Sequence, residues 1–575
     1  MNLRALHPVS QLSSPLHGSW RGLALLMLAV WLTGCASLPS EVDRPVSTAL
    51  ANPSETRIGR AVQERAAKAG TRNDSGFALV NSAELAFTSR MALIDAAQKT
   101  LDIQYYAIHA DETTDRMFDA LRAAAARGVR IRILLDDFNT AGKNAQVLKI
   151  AFEKNVELRL FNPLPGNRRS LFFRILGSLK DVNRIQRRMH NKIFVADNAV
   201  AITGGRNLGE TYFGQGAGTN FIDADVLAAG RIARELSRSF DQYWNNPLAY
   251  PVESLMTVEE IEKIKPPAKA EAAPGQPAAS PAQQAPDGPV VAPAIAAATA
   301  PGTPGAAPGV RTTTAPDGTV SVIEPLPDTT NLALLDWTWA PSALLVDKAS
   351  KIAADADEVQ AAQDTTVDGL LQLMAQASGD LLVVSPYFVP GPRMMEQLAA
   401  IRQKGVRIRV LTNSLASNDA PAAHVGYARY RKEMLALGIE LYEMRAEQEG
   451  SLTSFGSTGS SGSAGTSRAS LHSKIVVLDR QLLVIGSMNL DLRSQLQNTE
   501  VALVIRSRKL SDETIQLIEP SMAKGAYKVE LEDGQLVWRA PQGSDLKDSR
   551  TEPDASTGLK LMLKIIGPFA PEEML

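Results

Sequence analysis

The sequence predicts an α/β fold made of two tandem copies of one unit, on three observations. A run at 128–134, Gly-Val-Arg-Ile-Arg-Ile-Leu, recurs at 405–411 as Gly-Val-Arg-Ile-Arg-Val-Leu. Each copy follows an amphipathic stretch (117–127 and 394–404), which itself follows a strand-like run (101–106 and 381–387). Strand, helix, glycine stop and strand is the pattern of a βαβ unit in a parallel sheet flanked by helices. Beyond each glycine, at separations of 62 and 67 residues, stands a histidine followed two positions later by a lysine, so repeat and histidine travel as one module.

The 575 residues exceed one typical domain, and 60 basic against 62 acidic side chains leave a net charge of -2. Such a chain has no overall field to steer it toward a polyanion such as DNA, so any basic surface is local. In chain order, residues 22–33 form an apolar run behind Arg21, of the length of a secretory signal's core and short for a membrane span. The run ends in Leu32, Thr33, Gly34 and Cys35, which resembles a bacterial lipobox and implies cleavage before an acylated Cys35. That is the single cysteine of the chain, which excludes a disulfide framework and any multi-cysteine zinc site. Ala36 in the next place resembles lipoproteins sorted to the outer membrane. The expected location is therefore the bacterial cell envelope, lipid-anchored and facing the periplasm, with the outer membrane preferred over the inner.

After this signal peptide (1–34) come an N-terminal tether (35–75), the first unit (76–250), a Pro/Ala-rich disordered linker (265–330) and the second unit (331–571). The stretch 266–308 holds eleven of the 33 prolines among Ala, Gly and Gln, a composition that buries too little apolar area to order itself. Within the second unit, 450–469 has twelve Gly or Ser in twenty positions and reads as a mobile loop abutting His472.

The chemistry lies in two matched strings. His190, Lys192, Asp197, Gly204, Gly205 and Asn207 match His472, Lys474, Asp479, Gly486, Ser487 and Asn489 in the pattern H-x-K-x4-D-x6-G-[GS]-x-N. Residues two apart on a strand share a face, so each copy presents an imidazole and an ammonium together. Transfer at a phosphodiester needs charge neutralised, a nucleophile delivered and an alkoxide protonated. Lys192, Lys474, Asn207 and Asn489 supply charge and donors. Two histidines titrating near neutrality supply nucleophile and general acid without a metal or other cofactor. Asp197 and Asp479 complete the motif, although their place after an apolar run points to turn or ion-pair residues.

These strings resemble the phospholipase D superfamily, whose members pair two His-Lys-Asp motifs across a pseudo-twofold axis into one active site at the domain interface. Ser385-Pro-Tyr-Phe-Val-Pro390, the runs 411–419, 424–427 and 489–494, Asn498-Thr-Glu500 and the ending 568–575 are similar to the bacterial cardiolipin synthase C-like branch. The resemblance implies double displacement through a phosphohistidine, with His190 as nucleophile and His472 as acid and base. It implies Asp223 and Glu500 as acids orienting the imidazoles, with Asp225 the alternative to Asp223. It also suggests His424, Tyr427 and Ser487 for the acceptor pocket.

Residues 168–188 carry seven cations against Asp181, interleaved with Leu171, Phe172, Phe173, Ile175 and Leu176, a pattern that suits an anionic lipid surface. The expected function is a membrane-anchored phosphatidyltransferase making cardiolipin. Its partners would be a phospholipid membrane, phosphatidylethanolamine as donor and phosphatidylglycerol as acceptor. The alternatives are hydrolysis to phosphatidic acid, a nuclease, disfavoured by the charge balance, and a membrane-tethered lipid-binding protein without turnover.

Overall fold

The computed structural model describes residues 38–71, 73–166, 168–178, 182–216, 219–263, 311–314, 320–323, 331–332, 335–354, 356–448 and 467–566. The expected signal peptide, Cys35, the ending at 568–575, and most of the linker and of the Gly/Ser-rich loop lie outside them. Within the linker span, Arg311–Thr314 and Val320–Ile323 pair as an antiparallel hairpin.

Among the described residues, strands build two nine-stranded sheets of matching order. Sheet one runs Thr338–Ala340, Ser75–Val80, Asp225–Ala229, Val200–Gly204, Ile193–Ala196, Thr100–Tyr105, Arg130–Asp136, Val156–Phe161, Ala249–Pro251. Sheet two runs Ser342–Val346, Val501–Arg506, Leu482–Gly486, Ile475–Leu478, Asp380–Val384, Arg407–Asn413, Glu440–Met444, Ala526–Glu532, Gln535–Arg539. The repeated run forms the middle of three parallel strands in each sheet. Helix Glu112–Ala126 starts in a capping box of Asp111 with Thr114 and stops before Gly128 at φ 92°, and helix Gly391–Gln403 stops before Gly405 at φ 84°. Both glycines of the repeat thus take the left-handed conformation that ends a helix.

The sheets are mixed where the repeat predicts parallel pairing. Ile193–Ala196 joins Val200–Gly204, and Ile475–Leu478 joins Leu482–Gly486, through tight turns. Asp197 and Asn198, and likewise Asp479 and Arg480, take φ between 49° and 55° in those turns. A turn this short can join only antiparallel neighbours.

The chain passes between sheets at Pro341. Thr338–Ala340 closes the edge of sheet one and Ser342–Val346 opens sheet two, so the start of the second unit belongs to the first sheet. Side chains of both sheets meet in one apolar layer that includes Phe77, Ile193, Leu236, Leu382, Ile475 and Ile515. Burial of this layer is what fixes the two histidine-bearing strands relative to each other.

Within the expected tether, 44–50 straps one end of sheet one. Arg130, Arg132 and Arg159 donate to the carbonyls of Thr48, Ser47 and Pro45 at 2.6, 2.9 and 2.6 Å, and Arg44 stacks over Tyr250 at 4.3 Å. Buried guanidinium groups need acceptors, and in sheet one the strap adds carbonyls to the Asp102 and Asp241 carboxylates that pair with Arg132 at 2.7 and 2.8 Å. In sheet two the equivalent Arg407 and Arg409 use Glu440, Asp380 and Glu519. In the cationic segment 168–188, four of the described cations, Arg168, Arg174, Arg187 and Arg188, are buried, while Arg169 is exposed. Arg168 and Arg174 are buried on Asp137, and Arg188 is buried on Asp136 at 2.8 Å, because these carboxylates at the end of Arg130–Asp136 require cations. No helix among the described residues is long and apolar enough to cross a membrane.

Candidate active site

Each histidine sits just ahead of a core strand, hung by its neighbours from both halves. The carboxylate of Asp136 accepts from the Met189 amide at 2.9 Å, and Asn413 Oδ1 accepts from the Leu471 amide at 2.9 Å. The amide of His190 donates to the Thr499 carbonyl at 2.9 Å, while that of His472 donates to the Ile222 carbonyl at 2.8 Å. The residue after each of those carbonyls carries the acid for the same imidazole. His190 Nδ1 meets Glu500 at 2.9 and 3.0 Å, and His472 Nδ1 meets Asp223 at 2.6 Å. Each half therefore supplies the carboxylate that orients the other half's histidine. A carboxylate accepts only, so Nδ1 carries the proton and Nε2 keeps its lone pair for chemistry.

The carboxylates are fixed in turn. Ser487 Oγ donates to Glu500, and Ser494 Oγ does so at 2.9 Å. The Ala224 amide donates to Asp223 at 2.8 Å, and Gly205 packs so closely that a Cβ there would strike both Asp223 oxygens. The difference between Gly205 and Ser487 in the two motifs thus follows from which acid lies beside each. Asp225 is not an orienting acid, since it pairs with Arg90 at 2.9 Å and lies near Arg206.

Lys192 Nζ donates to the His190 carbonyl at 2.8 Å, and Lys474 Nζ to that of His472. Loss of water on burial pushes Lys192 down to about 7 and Lys474 down to about 8, with Lys474 adding to the fall at Lys192. Burial likewise pushes His190 down to about 4 and lowers His472, against the pull of Glu500 and Asp223. For Glu500, burial works upward, but His190 and Lys192 outweigh it and hold the carboxyl below its usual range. The empty site therefore holds two neutral imidazoles with ionised carboxylates behind them.

Aromatic side chains wall the imidazoles. Tyr106 meets His190 edge-on at 5.0 Å between centroids, and Tyr212 and Phe221 lie 5.4 and 5.1 Å from His472. Tyr106 just past a strand, Tyr212 in a short 3-10 turn and Phe221 in a three-residue strand carry no periodic signal, which is why sequence reasoning missed them. Asn207 accepts from the Ala107 amide at 3.2 Å and donates to Tyr212 Oη at 3.0 Å, and thereby positions that wall. Asn489 is buried with Oδ1 unpartnered.

Several expected residues serve elsewhere. Asp197 accepts from the amides of Gln98, Lys99 and Thr100, and Asp479 from those of Ser378, Gly379 and Asp380, so both fasten hairpin turns to a neighbouring strand. Neither belongs with the catalytic set. His424 and Tyr427 are corrected too: they lie on helix Pro421–Ala436 in a buried network with Arg431, Glu443 and Glu552. Ser487 holds Glu500 and is not a pocket residue. Among the described residues, no group of three or more His, Cys, Asp or Glu side chains is arranged to hold a metal ion.

A family model described as cardiolipin synthase, PLD-like domain, matches residues 91–244 and again 370–521, enclosing both motifs. Cardiolipin synthase C of Escherichia coli K12 is 33% identical over 503 residues, covering 85% of this chain and 94% of that protein. An uncharacterized protein of Helicobacter pylori is 28% identical over 553 residues, covering 94% and 97%. Among solved structures, the phosphatidylserine synthase of Haemophilus influenzae aligns at a TM-score of 0.47 and 13% identity, over 82% of this chain and 91% of that one.

Proposed function

This chain belongs to the cardiolipin synthase family of phospholipase D-like phosphatidyltransferases, and on that premise we propose that it makes cardiolipin through a phosphohistidine. The observation that carries the reading is the reciprocal pairing of His190 with Glu500 and His472 with Asp223, which leaves two Nε2 atoms for one phosphorus.

The site, with a phospholipid bound, works in two displacements. Nε2 of His190 attacks the phosphorus of a phosphatidyl donor. Protonated His472 gives its proton to the departing headgroup oxygen. The phosphodiester anion, together with Asp223, draws that proton onto His472, which burial otherwise keeps neutral. Lys192 and Lys474 neutralise the non-bridging oxygens as charge builds in each transition state. His472, now neutral, takes the proton of the acceptor hydroxyl, whose oxygen displaces His190 from phosphorus. Phosphatidylethanolamine as donor and phosphatidylglycerol as acceptor yield cardiolipin, and water as acceptor yields phosphatidic acid. An acylated Cys35 holds the enzyme on the periplasmic side of the envelope, at the outer membrane.

Purified protein, beside His190→Ala and His472→Ala, is to be incubated without divalent metal in vesicles of phosphatidylethanolamine and phosphatidylglycerol. Lipids are then separated and weighed by mass spectrometry. Cardiolipin from the wild type alone supports the reading, and phosphatidic acid alone replaces it with a hydrolase. Cleavage of single-stranded DNA with no lipid turnover hands the site to a nuclease.

A further inference from the structure

The loops that follow the two repeated strands treat their carboxylates differently, and nothing in the double displacement requires it. In the first half the residue after Arg130–Asp136 is Asp137, buried and closed by Arg168 and Arg174. In the second half the loop after Arg407–Asn413 carries Asp419 into solvent. Its two carboxylate oxygens accept from the Tyr387 hydroxyl at 2.9 and 2.8 Å, and Ser470 Oγ lies 3.4 Å from one of them. Among the described residues no cation pairs with it. It thus lies beside Ser470, two residues ahead of His472, and its charge favours the protonated forms of His472 and Lys474.

A carboxylate in that place repels the phosphodiester the site must hold. A bound molecule that brings donors of its own offsets that repulsion. An acceptor with two neighbouring hydroxyls does this: one gives its proton to His472 and attacks, and the other donates to Asp419. Tyr387 fixes the carboxylate so that little freedom is lost on binding.

We propose that Asp419, aligned by Tyr387, binds the second hydroxyl of a vicinal-diol acceptor beside His472. The site thereby prefers glycerol-type headgroups to simple alcohols. The inference rests on the phosphatidyltransferase reading.

The test uses the full chain with phosphatidylethanolamine vesicles and two soluble acceptors, glycerol and 1-propanol, with the transfer products of each measured across acceptor concentration. Wild type favours glycerol. In Asp419→Asn the KM for glycerol rises about tenfold, kcat at saturation changes far less, and the KM for 1-propanol stays. Tyr387→Phe moves the glycerol KM the same way by a smaller factor, and Asp419→Glu recovers part of the preference. An unchanged preference in Asp419→Asn overturns the proposal. So does an equal fall in kcat with both alcohols, which would mean that Asp419 acts only through His472. A wild type that forms no transfer product with either alcohol overturns the phosphatidyltransferase reading itself, and the proposal with it.

Discussion

Lys192 and Lys474 lose their protons across neutral pH in the empty site, and this sets the alkaline side of catalysis. The profile of kcat/KM is expected to rise above pH 4 as His190 becomes neutral and to fall through about 7 to 8. A bound phosphodiester holds the lysines protonated, so the alkaline limb of kcat lies higher than that of kcat/KM. Initial rates measured from pH 4 to 10 check both limbs. The same burial weighs on stability. Because Lys192 falls from 10.5 to about 7 on folding, the unfolded chain binds more protons between those values. Its burial cost is full at and below pH 7 and fades toward 10.5. Lys192→Met is therefore expected to raise Tm most at pH 7 and below and least near pH 10, while cutting kcat by roughly 10²–10³. Calorimetry across pH, beside the lipid assay, reads both effects. Replacing Glu500 by Gln leaves His190 without the charge that orients it, and kcat is expected to fall by up to about 10⁴ with KM little changed.

The hairpins ending in Asp197 and Asp479 and the glycine before Arg206 act as elements, holding strands and acids in register. Asp479→Ala removes an acceptor shared by three backbone amides and is expected to cost about 1–2 kcal/mol by denaturant titration, with turnover per folded molecule retained. A loss of turnover in a stable Asp479→Ala protein would instead return that aspartate to the site. Gly205→Ala drives a methyl into Asp223 and is expected to slow the His472 step more than it lowers Tm. The strands, the helix stops and the two motifs were legible in the sequence, because periodicity and a repeated glycine are local signals. The need for Asp223 and Glu500 was legible by resemblance. Their exchange between halves was not, since each contact spans 249 or 310 residues. The burial of Arg168, Arg174 and Arg188 was illegible for the same reason, since Asp136 ends a strand and Asp137 follows it, and composition alone connects neither to the segment.

As a whole, the molecule is held together by the apolar layer between the sheets, the strand Thr338–Ala340 on sheet one, and the parallel pairing of Ser467–Leu471 with Asn220–Ile222. A protease site placed within 275–300 is expected, once cut, to leave two fragments that co-elute on size exclusion and keep full phosphatidyl transfer. Separation with loss of activity would show that the connection itself is needed. The strap at 44–50 escaped sequence reading because it works through backbone carbonyls, which any residue offers. On the proposed acylation of Cys35 it would also set a leash: with Arg44 fixed over Tyr250, at most roughly 30 Å of chain would separate bilayer and body. An enzyme on so short a leash samples only lipids diffusing past its own anchor. Its rate then follows the mole fraction of donor and acceptor in that one leaflet and is blind to how many other vesicles share the tube.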